Sequence, residues 1–195
     1  MNPGAHIAEY SATPARRRTL LAVAINLIFF AGLIAFMFHV QAKSRDWPSS
    51  LTPPFEFGNL LMVFAMAMAG FCGSVTMELA AHNAASGKAE EAVRWVAIAI
   101  SGWLVFLFLE GVEWANLFYL LNLGPKTAFG GTFLLLTGSH WLAVVACTIW
   151  FTFVVTDVRR RDILAAALYS HFLALWWIVV VIVLYVPNMN PLFDL

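Results

Sequence analysis

Apolar residues fall into five long blocks, with most polar residues confined to the stretches between them. The blocks run approximately over Leu20–Val40, Phe57–Ala80, Val93–Leu121, Phe129–Val155 and Ile163–Val186. A helix needs about 20 consecutive apolar residues to cross the hydrocarbon layer, and somewhat more when it tilts. Lipid offers nothing to open backbone groups, so each block must close its own hydrogen bonds and predicts a transmembrane helix. The expected fold class is therefore all-α: a polytopic bundle of five transmembrane helices in one domain over 19–187, with tails over 1–18 and 188–195. The first block is too long for a typical signal-peptide core, and "HVQAKSRDWP" presents no compelling cleavage site.

Composition agrees with a bilayer as solvent. Of 195 residues, 62% are hydrophobic and 11% charged, against about 45–50% and about 25% in soluble domains. The formal net charge is zero, which removes the electrostatic case for a nucleic-acid partner. Cys72 and Cys147 lie inside apolar blocks and are expected to be small buried thiols rather than a disulfide.

Basic residues set the expected orientation. One side carries Arg16, Arg17, Arg18, Lys88, Arg94, Arg159, Arg160 and Arg161, and the other only Lys43, Arg45 and Lys126. That asymmetry places the N-terminus in the cytoplasm and the C-terminus outside. The connections are short. Prolines stop the helix in "SRDWPSSLTPPFEF", and "AAHNAASGKAEEAVRW" turns around Gly87, with Glu90 and Arg94 spaced to pair on one helix face. Trp47, Trp95, Trp114 and Trp177 are candidates for interfacial anchoring, with a deeper position left open for Trp177.

Polar groups inside the blocks are the candidates for chemistry. A rise of about 1.5 Å per residue puts Glu110 and Glu113 about 25–30 Å along the third helix, close to the outer interface. The same rise places His140 about 16 Å from the outer face and His171 about 12 Å from the inner one, so the two imidazoles sit at similar, near-central depths. Asn26 can bond between helices and needs no further role. Glu78 is expected in the last turn of the second helix, solvated or paired with an arginine. Carboxyl groups in spanning segments are costly and usually face the bundle interior with a partner. Glu113 is expected to be the inward member, because Trp114 and Tyr119 mark an interfacial face beside it, with Glu110 nearer the interface. Such a carboxylate must find a donor or carry a proton. Two histidines on different helices can in principle ligate a haem or metal. No third ligand group, nucleophile–base arrangement or phosphate loop accompanies them.

Five motifs in order carry a family resemblance: "NLIFFAGLIAFMFHVQAKSRDWP", "GSVTMELA", "FLEGVEWANL", "GGTFLLLTGSHWLAV" and "LAAALYSHFLALWWIVVVIVLYV". Together they resemble subunit III of haem-copper terminal oxidases, in a five-helix form that lacks the first two helices of the longer version. Glu113, His140 and His171 stand at that family's glutamate and histidine positions, and Ser74, Thr76, Thr137, Gly138 and Trp177 also match. Several positions depart from the pattern. Asn26 replaces a buried, carbodiimide-reactive glutamate, so a proton-buffering role there is weakened. Ala143 replaces a histidine, Ala174 an aspartate, Leu164 a glutamate and Ser170 a tryptophan.

The resemblance implies a non-catalytic, cofactor-free membrane subunit that packs on the catalytic subunit I, beside subunit II. Haem and copper belong to those partners, and phospholipid is held on this chain. Arg94, Trp95 and His171 are the candidate lipid contacts, and Glu110, Glu113, His140 and His171 a candidate structural polar cluster. The departures also fit an accessory or assembly protein of a nitric oxide reductase. An independent haem or metal protein using His140 and His171 is the alternative of a different class.

Overall fold

The longest described helix, α1, runs from Pro14 to Lys43, beginning and ending beyond its apolar block. It is followed by α2 (Phe57–Ala85), α3 (Ala89–Ala115), α4 (Ala128–Thr156) and α5 (Arg160–Leu184). The computed structural model describes residues 14–45, 47, 57–120, 124–156 and 160–185. Residues 1–13, most of the α1–α2 connection, Arg159 and the segment expected as a C-terminal tail lie outside the described residues. All five helices are long and apolar enough to cross a membrane. The chain is a multi-pass membrane protein.

Local sequence sets the helix ends. Gly87 adopts a left-handed φ of 77°. Its N–H donates to the Ala84 carbonyl at 3.2 Å and the Lys88 N–H to the Asn83 carbonyl at 3.0 Å. This glycine stop satisfies carbonyls that the end of α2 would otherwise strand. At the start of α4, Thr127 Oγ1 accepts from the Gly130 N–H at 3.0 Å, the role of a helix N-cap. The last turn of the third span, Asn116–Leu120, opens into a π-helix. The expected Glu90–Arg94 pair is not formed. Lys88 meets Glu91 instead, at 3.7 Å. Both expected partners are exposed, where solvent competes strongly for each charge.

Helices α2, α3, α4 and α5 pack in sequence around a ring, and α1 lies against α4 and α5. The closest approach is α2 on α3. A Cβ at Gly102 would meet the Ala69 carbonyl oxygen at 3.1 Å and the Gly73 nitrogen at 3.2 Å. Lipid-embedded helices associate through this kind of small-residue contact, since burying apolar surface gains little in an apolar solvent. Trp103, Phe106, Leu136, Val144, Phe151, Leu173 and Trp177 fill the interior. The α1 window is only 11% buried, against 44% for α4. Consequently α1 presents most of its apolar surface outward.

Packing overturns the expectation for one cysteine and decides the position of Trp177. Cys147 is buried but Cys72 is exposed, because α2 turns that side away from α3 and α5. Trp177 is no interfacial anchor. It is 1% exposed and stacks on His140, ring centroids 5.6 Å apart. Trp47 sits edge-on against Phe129 at 5.3 Å and ties the segment after α1 to the start of α4.

Candidate functional site

The polar groups of the spans form three separate arrangements. The first lies towards the end of the bundle marked by the Gly87 turn. Ser74 is fully buried on α2, and its Oγ is hydrogen-bonded to His171 Nδ1 on α5. The other ring nitrogen of His171, Nε2, faces Glu78 Oε2 at 3.4 Å. The side chains of His171 and Glu78 are 41% and 58% exposed. Ser74 and Glu78 share a helix face because they are four residues apart. The helix runs a further seven residues to Ala85, so Glu78 is not in the last turn, and its partner is a histidine rather than an arginine.

The second arrangement is the mid-bundle core. His140 is fully buried, its Nε2 3.1 Å from the Leu173 carbonyl oxygen. Phe106 packs edge-on against it at 5.3 Å. His140 Nδ1 has no hydrogen-bond partner. The two histidines are thus engaged by different groups and do not face one another as a ligand pair. Among the described residues no group of three or more His, Cys, Asp or Glu is placed to hold a metal ion. Close by, Trp103 Nε1 donates to Ser170 Oγ at 3.0 Å, joining α3 to α5.

The third arrangement occupies the opposite end, where Pro125 and Lys126 turn the chain from the third span into α4. Tyr185, the residue after α5, donates from its hydroxyl to Glu113 Oε1 at 2.6 Å. Glu113 Oε2 and both carboxyl oxygens of Glu110 have no partner among the described residues. Glu110 is 0% exposed and Glu113 7%. Glu110 therefore faces the bundle interior as Glu113 does, and Glu113 is not the sole inward member of the pair. Residues three apart lie on the same helix face, so a face that buries Glu113 buries Glu110 too. Beside them Trp114 Nε1 donates to Thr137 Oγ1 at 3.0 Å. Trp141 Nε1 reaches the Leu107 carbonyl oxygen at 3.4 Å.

Glu110, Glu113, His140 and His171 accordingly do not form one cluster. Among the described residues Asn26 makes no bond to another helix. Its amide donates to the Ala22 carbonyl of its own helix at 2.9 Å, since α1 is loosely packed and the carbonyl four residues back is the nearest acceptor. Arg94 is exposed and Trp95 half-buried on α3, and no hydrogen bond or ion pair joins either to His171. A separate groove of about 330 Å³ runs between α1, α4 and α5, lined by Arg18, Thr19, Ala22, Cys147, Trp150 and Tyr169. Tyr185, Trp103 and Ser170 were not anticipated from sequence. Tyr185 could have been found, because it lies at the same end of α5 as Glu113 does of α3.

Comparison with known proteins adds a functional context. No family model matches the chain. A protein described as probable cytochrome c oxidase subunit 3 from Mycobacterium tuberculosis is 29% identical over 176 residues, covering 86% of this chain and 85% of that protein. One of the same description from Nocardia farcinica is 26% identical over 169 residues, 82% of this chain and 81% of that protein. A cytochrome bo(3) ubiquinol oxidase subunit 3 from Pseudomonas aeruginosa is 28% identical over 169 residues, 82% and 78% respectively.

Proposed function

We propose that this chain, a divergent homologue of subunit 3 of the cytochrome c and bo(3) ubiquinol oxidases, is the accessory subunit III of a respiratory haem-copper oxidase in a bacterial inner membrane. The observation that carries the proposal is the similarity to cytochrome c oxidase subunit 3 over 86% of the chain, on five helices that can each span a membrane. The complex reduces oxygen to water at haem and copper held by its catalytic subunit I. This chain packs on that subunit, beside subunit II, and stabilises it. The basic side, with Arg17, Arg18, Lys88 and Arg94, faces the cytoplasm.

Lipid binding is the second part of the proposal. Arg94, Trp95 and His171 remain candidate contacts near the Gly87 end. The groove beneath Arg18 adds a cation over an apolar floor of Ala22, Ala146 and Trp150, which suits the phosphate and first methylenes of a phospholipid. The role is structural rather than proton-supplying at Asn26, because an amide does not titrate.

Deletion of the chain tests the accessory role. Membranes from the deletion strain are expected to keep the haem spectrum of the catalytic subunit while oxygen consumption declines over successive turnovers. Unaltered longevity with the chain absent contradicts the proposal. So does a deletion that leaves oxygen consumption intact and abolishes nitric oxide reduction.

A further inference from the structure

The acid pair at the Pro125 end poses a problem in charge that the accessory role does not address. Glu110 and Glu113 are both more than nine-tenths buried. No ion pair among the described residues reaches either carboxyl. The sequence explains why. The spans that build the site hold no lysine or arginine from Trp95 to Pro125, in α4, or from Ile163 to Tyr185, and among the described residues Lys43, Arg45 and Lys126, at the ends of the helices, form no ion pair with either carboxyl. One donor is present, the Tyr185 hydroxyl, and it is spent on Glu113 Oε1. Three carboxyl oxygens are left aimed into the interior without a donor.

Two carboxylates cannot both ionise in such a place. Side chains three residues apart on a helix have Cβ atoms about 5–6 Å apart, and each charge raises the cost of the other in a medium that solvates neither. Paired acids in this situation bind protons as a unit. One proton satisfies most of what is missing, since a protonated carboxyl supplies the O–H donor that Glu113 Oε2 lacks.

We infer that Glu110 and Glu113 form an intramembrane proton-binding site holding one proton between them, in which Glu110 donates its carboxyl O–H to Glu113 Oε2 while Tyr185 donates to Oε1. The ligand is a proton. The site is built from residues of α3 and the end of α5, and Phe133 of α4 closes over Tyr185 with ring centroids 6.0 Å apart. The titratable side chains of α4 are His140, held to the Leu173 carbonyl, and Cys147, which lines the groove beside Arg18. The site sits at the opposite end of the bundle from Glu78 and His171, and on a different helix from Asn26. The inference rests on the fold alone and stands whichever redox complex the chain joins.

Infrared spectroscopy of the purified complex at neutral pH, in H₂O and then in D₂O, tests it. The expected result is a protonated-carboxyl C=O band that shifts to lower frequency in D₂O, disappears in Glu110→Gln, and persists in Glu78→Gln. Tyr185→Phe is expected to move the band by changing the hydrogen bonds on its partner, which reports on the site even if Glu110→Gln does not assemble. A wild-type difference spectrum without any such band overturns the inference. So does a band that survives both Glu110→Gln and Glu113→Gln unchanged.

Discussion

The two ends of this bundle handle ionisable residues in opposite ways. At the Gly87 end, Ser74, His171 and Glu78 form a linked series running from a buried hydroxyl out to a half-exposed carboxylate. Each group finds a partner or solvent. At the Pro125 end, Glu110 and Glu113 are buried in the bundle, with the Tyr185 hydroxyl as the single donor to them among the described residues. The difference teaches that position along a span does not by itself decide how a charge is treated. Glu78 and Glu110 both stand within a few turns of a helix end, yet one is exposed and the other sealed, because α2 turns Glu78 outward while α3 packs Glu110 inward.

Substitutions can break or sharpen this contrast. The largest effect is expected at Trp103, which packs against Gly73 on one side and Phe106 on the other and bonds to Ser170. Trp103→Ala should cost about 3 kcal/mol or more through the cavity it leaves. Thermal melting of the purified protein should fall accordingly, and both ends should loosen together. Next comes Tyr185→Phe, which strips Glu113 Oε1 of its donor and should cost about 1–3 kcal/mol, as expected for a buried acceptor left unpaired. An unchanged melting temperature would mean that the bond from Tyr185 to Glu113 does not hold the Pro125 end together.

Ser74→Ala should cost less, about 0.6–1.7 kcal/mol, the range for side-chain bonds between membrane helices. His171 should then gain mobility, visible as faster exchange of its ring proton by NMR. Glu78→Gln should be smallest, below about 1 kcal/mol and diminished by added salt, since its carboxylate is more exposed than buried. If Glu78→Gln proved as damaging as Tyr185→Phe, the contrast between the two ends would collapse.

Much of the architecture is legible in the sequence, and for a clear reason. Hydrocarbon forces long apolar runs into helices, so five runs give five spans, and Gly87 declares the turn it makes. Side-chain orientation is less legible. Trp114 and Tyr119 suggested that the face beside Glu113 was interfacial and that Glu110 belonged to it. In the fold Trp114 is half-buried and bonds to Thr137, while Glu110 follows the three-residue spacing inward. Asn26 read as an interhelical donor, but which helix it faces depends on how loosely α1 docks. Tyr185 falls at the end of the fifth apolar block, and the approach of α3 and α5 at the Pro125 end gives it a role. Ser170 likewise acquires its function from Trp103, sixty-seven residues away in the chain.

On the proposed function, this chain works inside a redox complex whose reactive centres lie elsewhere. Affinity purification of the tagged chain from native membranes in mild detergent, followed by mass spectrometry and a visible spectrum, tests it most directly. The expected result is a haem-copper catalytic subunit recovered in fixed stoichiometry, with the haem absorption tracking that subunit. Recovery of the chain alone, or with a Soret band of its own, would contradict it.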